Sequence, residues 1–159
     1  MLSITLITLG TLKESYLRQG VQEYLKRLST YAQVSEINLP EEKIQNEDDA
    51  TSILRALDRE GDAILAKIPK GASVVTLCVE GKELSSEELA AYISRAGESS
   101  GKLAFIIGSS HGLAKKVKDA SDLRLSISRM TFPHQLMRLS LAEALYRAAT
   151  ITAGKRYHK

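Results

Sequence analysis

The segment Gly108-Ser109-Ser110-His111-Gly112 spells G-x-S-x-G, with Ser110 in the place of a nucleophile and an apolar run just before it. Serine hydrolases use this pattern on a sharp strand-to-helix turn that exposes the serine. Their chain order then requires an acid followed by a histidine. Asp119 or Asp122 with His134 or His158 would supply them. No HGGG-like oxyanion segment accompanies the pattern, and 159 residues are few for a hydrolase of that fold. The same glycines have a simpler use, a turn that lets backbone approach a ligand closely. The pattern alone leaves both uses open.

A second segment, Arg129-Met130-Thr131-Phe132-Pro133-His134-Gln135, mixes large apolar and polar side chains between a strand-like run and a helical one. Such a connector can wall a flat apolar ligand and offer it backbone hydrogen bonds, or Met130 and Phe132 can simply cap the core. The terminal run Gly154-Lys155-Arg156-Tyr157-His158-Lys159 gathers three cations and a histidine. It reads either as a nucleic-acid contact or as a solvated tail. Net charge is +3 and the pI about 9.0, which permits a nucleic-acid partner without requiring one. His111, His134 and His158 lack metal-ligand spacing, and Cys78 is the single cysteine. Neither a metal site nor a disulfide framework is expected, and Cys78 reads as a small buried hydrophobe. A G-x-x-x-x-G-K-[ST] loop is absent, as is G-x-G-x-x-G after the first strand, which argues against the usual nucleotide sites.

These segments need elements to position them. Residues 2–9 are rich in β-formers and end at Gly10. Residues 12–28 place Leu12, Tyr16, Leu17, Val21, Tyr24, Leu25 and Leu28 on one helical stripe. Residues 34–39 form a short strand closed by Pro40, residues 41–49 an acidic loop, and residues 50–68 a second amphipathic helix. The run 73–80 is nearly all apolar, as in a strand covered on both faces, and Gly81 ends it. Ser85-x-x-Glu88 is a capping box that opens a helix to about Ala96. A buried strand over 102–107, a short basic helix over 113–120 and an alternating strand over 123–127 follow. Pro133 fits the first turn of a last helix running to Gly154.

This alternation predicts one domain over 1–159, an α/β fold with a mostly parallel sheet and flanking helices. Ligands of such sheets bind beyond the carboxyl ends of strands. Three of those ends matter: Leu77 to Gly81, Gly108 to Gly112, and Ser128 to Pro133. No run reaches the roughly 18 continuous apolar residues of a membrane span. Met1 to Ile7 lacks the basic start and cleavage site of a signal peptide, so a cytoplasmic location is expected.

Several stretches together resemble the RlmH family. They are Ile107-Gly108 with Gly112-Leu113, the run Ser128 to Arg138, Glu143-x-x-Tyr146-Arg147-Ala148, and the terminal Tyr157-His158-Lys159. The opening strand ending in Gly10, and Thr76-Leu77 with Gly81-Lys82, match as well. The match spans essentially the whole chain, and MTFPHQ with the terminal YHK is highly specific. The resemblance implies a SPOUT methyltransferase with a C-terminal trefoil knot, an exception to the general rarity of knots. It implies a homodimer that uses S-adenosylmethionine to methylate N3 of a pseudouridine in 23S ribosomal RNA within the assembled ribosome. Matching motifs place cofactor binding on Leu77, Gly108, Ile127, Ser128, Arg129, Met130, Thr131 and Phe132. The N3 proton must be lost, so a cation near a carbonyl oxygen or a neutral histidine would help, and Arg138 and His158 are the catalytic candidates. Tyr157 would stack on a base while Lys155, Arg156 and Lys159 contact phosphate, from the same subunit or from its partner.

One position departs from the family, which usually has a second glycine where this chain has Ser109. If that position needs positive φ, serine costs on the order of 1 kcal/mol or more and weakens cofactor binding. Ser109 therefore keeps open a non-catalytic ribosome- or RNA-binding module, alongside the hydrolase built on Ser110.

Overall fold

The computed structural model describes residues 1–159. Its elements are β1 (Ser3–Leu9), α1 (Ser15–Leu28), β2 (Gln33–Leu39), α2 (Ala50–Lys67), β3 (Ser73–Glu83), α3 (Ser86–Ser99), β4 (Lys102–Ile106), α4 (Lys115–Asp119), β5 (Leu123–Ser126) and α5 (His134–Thr152). The five strands form one parallel sheet in the order β2-β1-β4-β3-β5.

Strand periodicity divides the core into two layers. Leu103, Phe105 and Ile107 join Ile4 and Leu6 in the larger cluster, which also takes residues from α1, α3 and α5. Ile106 points the other way, with Ile7, Leu9 and Val74, against Ile64 of α2 and Val117 of α4. The central strands are thus covered on both faces, as their unbroken apolar runs required. The α1 stripe is seated as read: Leu17, Val21, Leu25 and Leu28 are buried. The Ser85–Glu88 capping box forms reciprocally, with bonds of 3.0 and 2.9 Å. Asp49 caps α2 by accepting from the Thr51 and Ser52 amides.

Several boundaries differ from those expected, four of them instructively. The α1 helix starts at Ser15 rather than residue 12, because the Leu12 and Lys13 carbonyls accept from the Arg18 guanidinium at 2.7 and 2.9 Å. The basic helix shrinks to Lys115–Asp119. Pro133 stands at the N-cap of α5 rather than inside its first turn. The β3 strand does not stop at Gly81 but continues to Glu83, with a register break against β5 between Leu77 and Lys82. Gly81 makes that continuation feasible, since a Cβ there would stand 2.6 Å from the Arg124 carbonyl oxygen. The α5 helix lies packed between α1 and α3, so apolar residues occupy more than one of its faces.

Candidate functional site

Beyond the carboxyl ends of β3, β4 and β5 lies a cleft of about 530 Å³. Leu77, Ile107, Leu125, Ile127, Phe132 and Met137 give it apolar walls. Gly108 to Gly112 form one rim, and Ser128, Thr131, Pro133 and His134 another. Of the positions expected to bind a cofactor, Leu77, Gly108, Ile127, Ser128, Thr131 and Phe132 line it together. Arg129 and Met130 are not among its lining residues. Arg129 reaches Glu83 at 3.4 Å, and the Met130 side chain is 71% exposed.

Two local devices shape the cleft. The first is the glycine turn after β4. A Cβ on Gly108 would stand 2.7 Å from the Gly112 carbonyl carbon and 2.9 Å from Leu113 Cδ2, so only glycine lets the turn close on itself. The Ser109 carbonyl accepts from the Gly112 amide at 2.9 Å, and Gly112 takes φ +89°. The second is the connector from β5 to α5. Between residues 127 and 132 it makes no backbone–backbone hydrogen bond. Its one internal amide contact is from Met130 N to the Ser128 hydroxyl, at 3.0 Å. Groups of this kind seek partners, here beside apolar walls.

The expected strain at Ser109 is absent, for no residue other than glycine has positive φ. Its side chain is buried, and the hydroxyl donates to Glu60 Oε1 at 3.1 Å. The case for a non-catalytic module therefore loses the observation that raised it. The G-x-S-x-G pattern also fails as a nucleophile elbow. Ser110 is exposed, its backbone is unstrained, and no histidine hydrogen-bonds to it.

Around the rim, His134 Nε2 stands 3.5 Å from Glu41 Oε1. Burial lowers the His134 pKa, the Glu41 carboxylate opposes that, and the Arg138 cation adds to it. Arg138 itself is buried, 8% exposed, with its guanidinium donating to the Leu9 and Gly10 carbonyls at the end of β1. Its Nε has no partner, and burial lowers its pKa. Arg138 is thus one turn from His134 but not on the cleft wall. Glu60 is 4% exposed, and burial raises its pKa against the Glu42 amide and the Ser109 hydroxyl, which pull it down. A carboxyl whose pKa rises on folding contributes stability below the ordinary glutamate value and loses it as pH rises through the folded value. Glu60→Gln is therefore expected to raise the melting temperature by a few degrees at about pH 8 and to change it little near pH 4. Calorimetry across pH checks this.

No residue of the terminal tail lines the cleft of its own chain. Tyr157 donates to Glu143 Oε1 at 3.1 Å and stacks edge-on against Tyr146, with centroids 4.7 Å apart. Burial, the Tyr24 hydroxyl and Glu143 push its phenol pKa up. Arg147 Nη1 donates to His158 Nδ1 at 3.1 Å, so Nδ1 is an acceptor and Nε2 carries the proton that faces Glu87 Oε1 at 2.7 Å. Arg147 lies 13 residues past His134 on α5, roughly 20 Å along the helix. Lys155, Arg156 and Lys159 are exposed. Sequence reading had found Glu143 and Arg147 in the family pattern but had not paired them. They meet at 2.5 Å, and the i,i+4 spacing was the available signal.

Residues 2–158 match the family described as "Predicted SPOUT methyltransferase". The chain belongs to the SPOUT methyltransferase family, and it is a methyltransferase. Its relatives include Ribosomal RNA large subunit methyltransferase H of Bacillus thuringiensis (strain Al Hakam) and of Bacillus anthracis. Each is 48% identical over 159 residues, 99% of this chain and 100% of the relative. The RlmH resemblance thus extends over the full chain. Among solved structures, tRNA (m1G37) methyltransferase from Aquifex aeolicus superposes with a TM-score of 0.55 at 13% identity, over 91% of this chain and 69% of that one. A probable methylase family protein from Haemophilus influenzae Rd KW20 gives 0.51 at 13%, over 99% and 70%. These two show the fold. No helix is long and apolar enough to cross a membrane.

Proposed function

We propose that this methyltransferase uses S-adenosylmethionine to methylate N3 of a pseudouridine in large-subunit ribosomal RNA within the assembled cytoplasmic ribosome. The observation that carries the cofactor is the cleft. Its volume falls within the roughly 300–1,000 Å³ of small-molecule sites, and its walls are apolar. The Gly108 turn closes too tightly to admit a Cβ, and the 127–132 backbone, apart from the Met130 amide and the Ser128 carbonyl, has no internal partner and can bond a ligand. When bound, S-adenosylmethionine supplies an electrophilic methyl group on a sulfonium.

The protein's part is positioning and proton management. The apolar walls hold a flat group and exclude water. The connector backbone fixes its orientation. The acceptor nitrogen must lose a proton, and His158 is the group to accept it or to stabilise the resulting anion. Arg138, anchored at the end of β1, adds positive potential near the cleft edge. In its own subunit His158 is bonded on both ring nitrogens, to Arg147 and Glu87, and does not line the cleft. This separation favours a homodimer in which each tail serves the partner's cleft. Tyr157 then stacks on a base, and Lys155, Arg156 and Lys159 meet phosphates. The C-terminal trefoil knot is part of the same reading, with the 127–133 connector leading from the sheet-edge strand β5 to α5 beside the Gly108 turn.

Incubation with methyl-labelled S-adenosylmethionine and ribosomes lacking the modification tests this. Label is expected in large-subunit RNA from intact ribosomes and not in naked ribosomal RNA. Labelling of naked RNA alone would overturn the ribosome-level substrate.

A further inference from the structure

We infer that Glu60 is a positioning residue for the cofactor cleft, tying to α2 both the glycine turn on one rim and the segment that reaches His134 on the other. The inference rests on reading that cleft as the S-adenosylmethionine site. Glu60 belongs to α2, on the far side of the sheet from α1, α3 and α5, and does not itself line the cleft. Its buried carboxylate nevertheless holds two segments at once. Oε1 accepts from the Ser109 hydroxyl at 3.1 Å, and Oε2 accepts from the Glu42 amide at 2.9 Å.

One segment lines the cleft and the other reaches its rim. Ser109 sits inside the Gly108–Gly112 turn, which leaves no space for a Cβ on Gly108. Glu42 follows Glu41, whose carboxylate reaches His134 on the opposite rim at 3.5 Å. The next residue of the helix, Gly61, is packed close to Ala114 and Val117, directly after the turn. Glu60 thus has a rigid base from which to fix the turn. A buried carboxylate is costly unless its oxygens are bonded, so the arrangement persists only with both donors in place. Ser109 is the residue that makes the link, and a glycine there could not. The chain thus has an anchor at the one position that departs from the family pattern.

The tests separate positioning from mere stability. Ser109→Ala should raise the Kd for S-adenosylmethionine about tenfold, measured by calorimetry, as one buried hydrogen bond behind the turn is lost. At saturating cofactor, kcat should stay within about twofold, because the chemistry is untouched. Glu60→Gln should bind nearly as well as the unaltered protein. Its carbonyl accepts from Glu42, and its amide can donate to the Ser109 oxygen. Glu60→Leu combined with Ser109→Ala should bind no worse than about the weaker single variant, the signature of two groups acting as a unit. If Glu60→Leu does not fold, Ser109→Ala and Glu60→Gln still decide the matter. A lowered melting temperature with unchanged Kd in Ser109→Ala would reduce the pair to a structural contact and overturn the inference. Failure of the unaltered protein to bind S-adenosylmethionine is a different result. It would overturn the cofactor reading, and this inference with it.

Discussion

Removing Lys155 to Lys159 should leave a folded protein that binds S-adenosylmethionine normally and transfers methyl groups about 10²–10⁴-fold more slowly, the range expected for loss of a group that manages the reacting proton. The tail makes no contact with the cleft of its own chain, so cofactor affinity has no reason to change. What it does contact is Glu143, Arg147, Tyr146 and Glu87. Loss of one aromatic pair and of part-exposed hydrogen bonds costs the fold about 1–2 kcal/mol, well short of unfolding a domain of this size. Single-turnover transfer and cofactor calorimetry on the same preparation separate the two effects. Full transfer by the truncated protein would remove His158 and Tyr157 from the mechanism. His158→Ala alone should reproduce most of the loss. A mixed dimer of one truncated and one Gly108→Ala subunit would report whether tails serve the partner's cleft.

The second large effect is expected at Gly108. Gly108→Ala puts a methyl group against the Gly112 carbonyl and Leu113, and the obstruction is backbone rather than the end of a flexible side chain. The turn must open, and with it the rim of the cleft. Cofactor binding should weaken at least about 100-fold, with a stability loss of about 1–3 kcal/mol from overpacking. Gly112→Ala is the informative contrast. A Cβ at Gly112 meets nothing within 4 Å, so its only cost is the positive φ. That cost is about 1 kcal/mol, and the binding loss should be correspondingly smaller. Calorimetric Kd values and melting curves for both variants check the order. Wild-type affinity in Gly108→Ala would mean the glycine turn does not border the cofactor.

Much of the fold was legible because its signals are local. Parallel strands covered on both faces read as apolar runs, and Leu103 to Ile107 shows that run splitting between two core layers. The Ser85 and Asp49 caps are set by residues within three positions of each other, so they too were accessible to sequence, although only the first was read. The end of β3 was not legible. Gly81 has the look of a terminator, and only the neighbouring β5 backbone reveals that the glycine lets the strand pass. The candidate cleft was largely legible, because three strand ends and two composition-rich segments converge there. Whether Ser109 carries strain was not legible, because its φ and its partner Glu60, 49 residues away, are properties of tertiary structure. Arg138 has a similar history. Its spacing along α5 says nothing of the Leu9 and Gly10 carbonyls, more than a hundred residues earlier, that hold it.

The most direct test of the account is the identity of the methylated nucleoside. Ribosomes lacking the modification would be incubated with this protein and S-adenosylmethionine, and their large-subunit RNA digested and resolved by mass spectrometry. The account predicts a single new product, pseudouridine carrying one methyl group on N3, formed only when protein and cofactor are both present. A methyl group on another atom or another nucleoside, or no product from a protein that binds the cofactor, would contradict it.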